Sequence, residues 1–195
     1  MKIRFMFLMF LISLYANSQQ YSEIRFYNES QAKQILLNKT LYTVTTKCHQ
    51  KAGTDTKFIH LDKKFVPVTI TDIIQIDKKR IEIYFKNDVG QINFVKILLY
   101  NRNNEIYDAW GLEFKEIFSF NNPRDKYPEI KDNVWNLIQN SEVQIGMTKQ
   151  ECILSWGEPK DKNKTITEYN IHEQWVYYTG YLYFDNDKLT TIQNN

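Results

Sequence analysis

The sequence predicts an α+β protein. A β-rich N-terminal domain, built as a small barrel or a curled antiparallel sheet, precedes a smaller domain of two helices and a three-stranded antiparallel meander. Three observations carry this reading. Segments dense in β-branched and aromatic residues fill most of residues 35–100. The stretch IGMTKQECILSWGEP, residues 145–159, carries signals for both ends of one helix. Three aromatic-rich segments separated by turn residues close the chain. Apolar residues make up 43% and charged residues 25%, ordinary for a globular chain and contrary to extended disorder.

The first residues, MKIRFMFLMFLISLYANSQQ, read as an export signal and not as part of the fold. Lys2 and Arg4 precede the apolar run Phe5–Leu14, which is too short to span a bilayer. Ala16 and Ser18 are small residues at the places a signal peptidase reads. Residues 1–18 are therefore expected to be removed after Ser18, leaving a periplasmic or secreted protein. No Cys follows the run, so the chain lacks the mark of a typical lipoprotein, and no later segment is apolar enough to span a membrane. The full chain has 25 Lys+Arg against 23 Asp+Glu. Lys2 and Arg4 are the only charges in residues 1–18, so the remainder is balanced at 23 of each. Without net positive charge, nucleic acid is not an expected partner.

Residues 19–34 are polar and read as a lead-in. In the β-rich domain, residues 35–121, KTLYTVTTKC (39–48) and VPVTITDIIQI (66–76) read as strands, with Pro67 near a strand start. RIEIYF (80–85) alternates, placing Ile81, Ile83 and Phe85 on one face and Glu82 and Tyr84 on the other. KNDVG turns it into QINFVKILLY (91–100), which makes a hairpin. CHQKAGTDT (48–56) reads as a polar loop, and a short helix is expected around Leu112–Phe118. NNPRDKYP marks a boundary near residue 122, so the second domain is residues 122–195. A helix follows with Asp132 as N-cap and Val134, Leu137 and Ile138 on one stripe.

Thr148 and Glu151 have the spacing of a capping box, in which each side chain accepts the other residue's N–H. Met147 and Cys152 sit where a hydrophobic staple closes, and Gly146 permits the bend into the helix. Gly157 suits a left-handed helix end, and Pro159 stops continuation. The helix is short and needs tertiary packing. HEQWVYY (172–178), YLYFDND (181–187) and KLTTIQN (188–194) then read as strands turning at Thr179-Gly180 and Asn186-Asp187. Trp175 and Tyr177 share one face, as do Leu182 and Phe184.

Taken in order, IGMTKQECILSWGEP, EQWVYY, YLYF and KLTTIQ resemble the SmpA/OmlA (BamE-like) domain family over about residues 128–195. The resemblance implies a two-helix, three-stranded fold of the β-lactamase-inhibitor-protein type, a bacterial cell-envelope setting, and binding of a protein partner without catalysis. The absence of a lipid-bearing Cys and the added β-rich domain depart from the family's lipoprotein member.

No catalytic set, cofactor motif or metal site stands out. Cys48-His49 with His60 lacks a further ligand at a recognised spacing. A thiol enzyme could be built from Cys152 and His172, on neighbouring elements of one small domain; the alternative is a staple residue and a surface His at a strand end. Cys48 and Cys152 could form a disulfide or remain two buried thiols. Tyr178, Tyr181 and Tyr183 form a candidate interaction surface on the outer sheet face, or else pack cross-strand. The second functional reading, an inhibitor of an envelope hydrolase, would use residues 160–171 as an exposed loop.

Overall fold

The computed structural model describes residues 28–52, 54–99, 107–108 and 112–194. The expected export signal, with its expected cleavage after Ser18, lies outside the described residues. Among these residues the chain forms two units. The first runs up to Leu61 and resumes over Val66–Asn122; the second comprises Asp62–Phe65 and Pro123–Asn195.

The first unit begins with helix α1 (Glu29–Leu36). Most side chains of residues 29–34 are polar, which gives this stretch the sequence character of a lead-in although it is helical. Only Ala32 and Leu36, one turn apart, are buried, so the apolar stripe is too narrow to stand out. Asn28 caps the helix by accepting the Gln31 N–H at 2.9 Å. The strands are β1 (Thr40–Thr43), β2 (Lys47–Ala52), β3 (Asp55–His60), β4 (Pro67–Asp77), β5 (Arg80–Lys86), β6 (Ile92–Leu98), β7 (Tyr107–Asp108) and β8 (Phe118–Ser119), with a one-turn helix α2 (Phe114–Ile117). Their order is β3-β2-β6-β5-β4-β1-β8, with β7 beside β6, and all pairs are antiparallel.

No pairing joins β3 to β8 among the described residues, so the sheet is open and not a closed barrel. Residues 48–56, expected as a loop, are the β2–β3 hairpin, which is held by six registered pairs. Its exposed lysines and short turn masked the strand pattern. Ile81, Ile83 and Phe85 meet Val95, Ile97, Ile70 and Ile73 in one core, onto which α1 lays Ala32 and Leu36. Reciprocal bonds tie the helix start to β4: Glu29 N–H to Gln75 Oε1 and Gln75 N–H to Glu29 Oε2, each 3.1 Å.

The second unit contains a 3-10 turn (Pro123–Lys126), helices α3 (Asp132–Gln139) and α4 (Lys149–Trp156), and strands β9 (Asp161–Ile166), β10 (Ile171–Tyr177), β11 (Gly180–Asp185) and β12 (Lys188–Asn194). The sheet order is β12-β11-β10-β9, every neighbour antiparallel. This corrects the expected two-helix, three-stranded meander, and with it the BamE-like, SmpA/OmlA architecture that the resemblance implied. The additional strand is β9. All six of its residues are exposed, so burial leaves no alternation in DKNKTI, and backbone pairing to β10 alone defines it. Residues 160–171 therefore do not form a free loop, as the inhibitor reading required. They are a paired strand and a tight hairpin closed by Thr167 N–H to Asn170 O at 2.8 Å.

In α3 the N-cap position is Lys131, with Asp132 the first helical residue. Trp135 and Ile138 are its buried residues. Trp135, Ile138, Met147, Cys152, Trp175, Leu182, Phe184 and Leu189 share one core on one face of the sheet. Phe65 joins it, edge-on to Trp135 with ring centroids 6.0 Å apart.

Thr148 is the N-cap of α4. Its Oγ1 accepts the Glu151 N–H at 3.2 Å, and Glu151 Oε2 accepts the Thr148 N–H at 2.6 Å. Gly157 ends the helix with φ +83°, conformational space that glycine enters freely. Thr148→Ala is expected to lower the stability of the second unit by about 1 kcal/mol. Urea denaturation measures it, and an unchanged midpoint would contradict the role of the cap.

Candidate functional site

Strand alternation divides the four-stranded sheet into a helix-covered face and an open face. Trp175, Leu182, Phe184 and Leu189 fill the covered face. The residues between them, His172, Gln174, Val176, Tyr181, Tyr183 and Asp185, point the other way, and all are half-buried or exposed. Direct pairing sets Gln174 beside Asn163 on β9 and beside Tyr183 on β11.

A chain of side-chain hydrogen bonds crosses all four strands on this face. Asn163 Nδ2 donates to Gln174 Oε1 at 3.0 Å, and Gln174 Nε2 donates to Tyr183 Oη at 3.0 Å. Tyr183 Oη in turn donates to Gln193 Oε1 at 2.7 Å. At the sheet's end His172 Nδ1 lies 2.5 Å from Asp185 Oδ1, a directly opposed pair. Asn163, Gln174, Tyr183, Gln193, His172 and Asp185 are thus each held by a neighbour on an adjacent strand. Tyr181 and Tyr183 lie on this face. Tyr178, 85% exposed, sits in the β10–β11 turn, with the Lys160 ammonium 5.2 Å from its ring.

The covered face also carries charged side chains on β9 and β10. Glu173 bonds the Trp175 indole N–H at 2.8 Å and pairs with Lys149 at 3.0 Å. Burial acts to raise the Glu173 pKa, but the Trp175 bond and the Lys149 charge together hold it below the ordinary value. Lys162 stands 4.6 Å above the Trp175 ring and pairs with Glu158 at 2.9 Å.

The structure does not bring Cys152 and His172 together. Cys152 is fully buried beneath the covered face, and burial pushes its thiol up to about 12. His172 is exposed on the open face. Cys48 is likewise buried, in the core of the first unit, with its thiol raised to about 12 by burial, and both cysteines are free. His49 is stacked on Phe94 at 5.2 Å, and His60 lies 3.1 Å from Thr46 Oγ1. Among the described residues no three His, Cys, Asp or Glu side chains converge to hold a metal ion. Among them, too, no helix is long and apolar enough to cross a membrane.

Two groups escaped the sequence reading. The first is a row of rings across the first unit's sheet, on the face away from Ile81 and Ile83. His49 and Tyr84 stack on either side of Phe94, at 5.2 and 5.0 Å, and Phe58 meets His49 edge-on at 6.2 Å. Glu82, nearly buried, accepts the Tyr84 hydroxyl at 2.6 Å with Lys51 at 3.8 Å. Burial first, then Glu82, raises the Tyr84 pKa above the ordinary phenol value. Only the strict alternation of β5 pointed toward this cluster.

The second group is Lys64, 8% exposed, whose ammonium donates to the Ser155 carbonyl in the last turn of α4. Burial lowers its pKa to about 8. The unfolded chain, with a lysine near its ordinary 10.5, holds more protons than the native state between those values, so stability rises with pH through that window. Between pH 7.5 and 10 the wild type is expected to gain more stability than Lys64→Met, by roughly 1–3 kcal/mol. Parallel urea titrations of the two proteins check this, and identical pH slopes would refute it.

No family model matches the chain, and comparison with curated proteins and with solved structures likewise gives no match.

Proposed function

We propose that this chain is an exported, non-catalytic binding protein, periplasmic or secreted, which docks a protein partner on the open face of its four-stranded sheet. The hydrogen-bonded chain Asn163–Gln174–Tyr183–Gln193, flanked by Tyr181, is the observation that carries this reading. Tyrosine offers a large amphipathic contact at low entropic cost, and side chains already held in place lose little further freedom on binding. The non-catalytic part is supported by the buried, protonated Cys152 and its separation from His172. The export part is supported by the character of residues 1–18, and the charge balance beyond them disfavours nucleic acid as the partner.

A photo-crosslinking residue at position 181 is expected to give one discrete protein adduct in the native host. The same residue at Val89, an exposed turn position in the first unit, should not. Tyr181→Ala with Tyr183→Ala should weaken capture of that partner about tenfold or more. Equal adducts from both positions, or capture insensitive to the two substitutions, would overturn the reading.

A further inference from the structure

We infer that the outer edge of β9 is a docking site for an extended, acidic segment of the partner, added as a fifth strand. The inference rests on the binding reading above and names the partner's chemistry. β9 is the last strand of its sheet and pairs only with β10 among the described residues. At the other end of the sheet β12 is partly covered, because residues 146–149 bond to its start: Gly146 N–H to Leu189 O at 2.8 Å, and Leu189 N–H to Met147 O at 2.8 Å. β9 is thus the more open edge, and an open edge offers backbone donors and acceptors to an incoming strand.

Charge selects the occupant. Lys162 and Lys164 lie two residues apart on the covered-face side, as the contacts of Lys162 with Trp175 and of Lys164 with Glu173 establish. Asp161, Asn163 and Thr165 face the open side. A second copy of this chain, paired antiparallel across β9 about a two-fold normal to the sheet, would oppose lysine to lysine in each central register, which is unfavourable. A segment with Glu or Asp at alternate positions opposes carboxylates to both lysines, exchanging with Glu158 at Lys162 and adding to Glu173 at Lys164. Exposed apolar groups lie at the far end of the strand, with Ile166 69% and Tyr169 83% exposed, so an apolar residue at one end of that segment would also find a contact. Edge lysines ordinarily deter pairing with neutral or basic strands; the same property leaves this edge open to an acidic one.

The test uses the mature full-length chain and the fluorescent peptide acetyl-Thr-Glu-Val-Glu-Val-Glu-Thr-amide. Comparison peptides carry Lys in place of Glu, or N-methyl groups on alternate backbone nitrogens. Binding of the Glu peptide is expected, with loss of affinity on N-methylation and slowed amide exchange over residues 161–166. Lys162→Glu with Lys164→Glu should weaken it about tenfold and transfer preference to the Lys peptide. Circular dichroism of the double variant shows that the fold survives. No binding, binding indifferent to N-methylation, or a dimer of the wild-type chain that occupies the edge would overturn the inference. Position-181 crosslinking that persists while the peptide fails leaves the binding reading standing without this edge.

Discussion

Phe184→Ala is expected to destabilise the second unit by about 3–5 kcal/mol. Phe184 is 1% exposed, and its ring centroid lies 4.5 Å from that of Trp175, itself 2% exposed. Both belong to the core shared with Met147, Cys152, Leu182 and Leu189. Truncation removes the transfer energy of a buried ring and opens a cavity against Trp175, a rigid neighbour that cannot collapse into it. Since α4 is only eight residues long and depends on this packing, its helicity should fail together with the sheet. Urea unfolding followed by far-ultraviolet circular dichroism and tryptophan emission provides the measurement. Tyr178→Ala, at an exposed turn, is the control and should change stability by no more than about 0.5 kcal/mol. A loss below about 1 kcal/mol for Phe184→Ala would mean that this ring does not anchor the core.

Gly180→Ala should have a comparable effect through the backbone. Gly180 opens β11 with φ +153°, a conformation that L side chains rarely adopt. A Cβ there would lie 2.2 Å from the Gln193 carbonyl oxygen and 3.1 Å from Asn194 Cα, atoms of the paired strand that cannot rotate aside. Strain and overlap act together, so a cost of about 3 kcal/mol or more is expected. The damage should begin at the β11–β12 pairing, where Gly180 meets Asn194. Amide exchange is expected to show protection lost along β12 before it is lost in the β9–β10 pair. A variant with wild-type exchange in β12 would refute this account.

The helix Lys149–Trp156 is legible because its boundary signals are local: Thr148, Glu151 and Gly157 act within their own segment of chain. β11 is legible because burial alternates along it, and β10 and β12 because each sets one large apolar side chain, Trp175 or Leu189, into the same core between turn residues. β9 is not, because an edge strand exposed on both sides places no demand on its side chains. Helix α1 is obscured for a related reason, since two buried positions suffice to seat it. Helical spacing picks out the Val134, Leu137 and Ile138 stripe, whereas the packed face of α3 centres on Trp135 and Ile138. The open face was only partly legible. Alternation puts Tyr181 and Tyr183 on one side, but the bonds joining Asn163, Gln174, Tyr183 and Gln193 depend on strand register. That register follows from tertiary pairing and includes an irregularity between Tyr183 and Phe184.

The four residues Asp62–Phe65 give the second unit a discontinuous composition. A fragment cleaved at the 122–123 peptide bond would retain both helices and all four strands but forfeit Phe65 against Trp135 and the amine that meets the Ser155 carbonyl. Such a fragment should unfold at lower denaturant than the parent chain, and a synthetic tetrapeptide would be too short to rescue it. Any dissection of the gene therefore has to keep this early plug with its late socket.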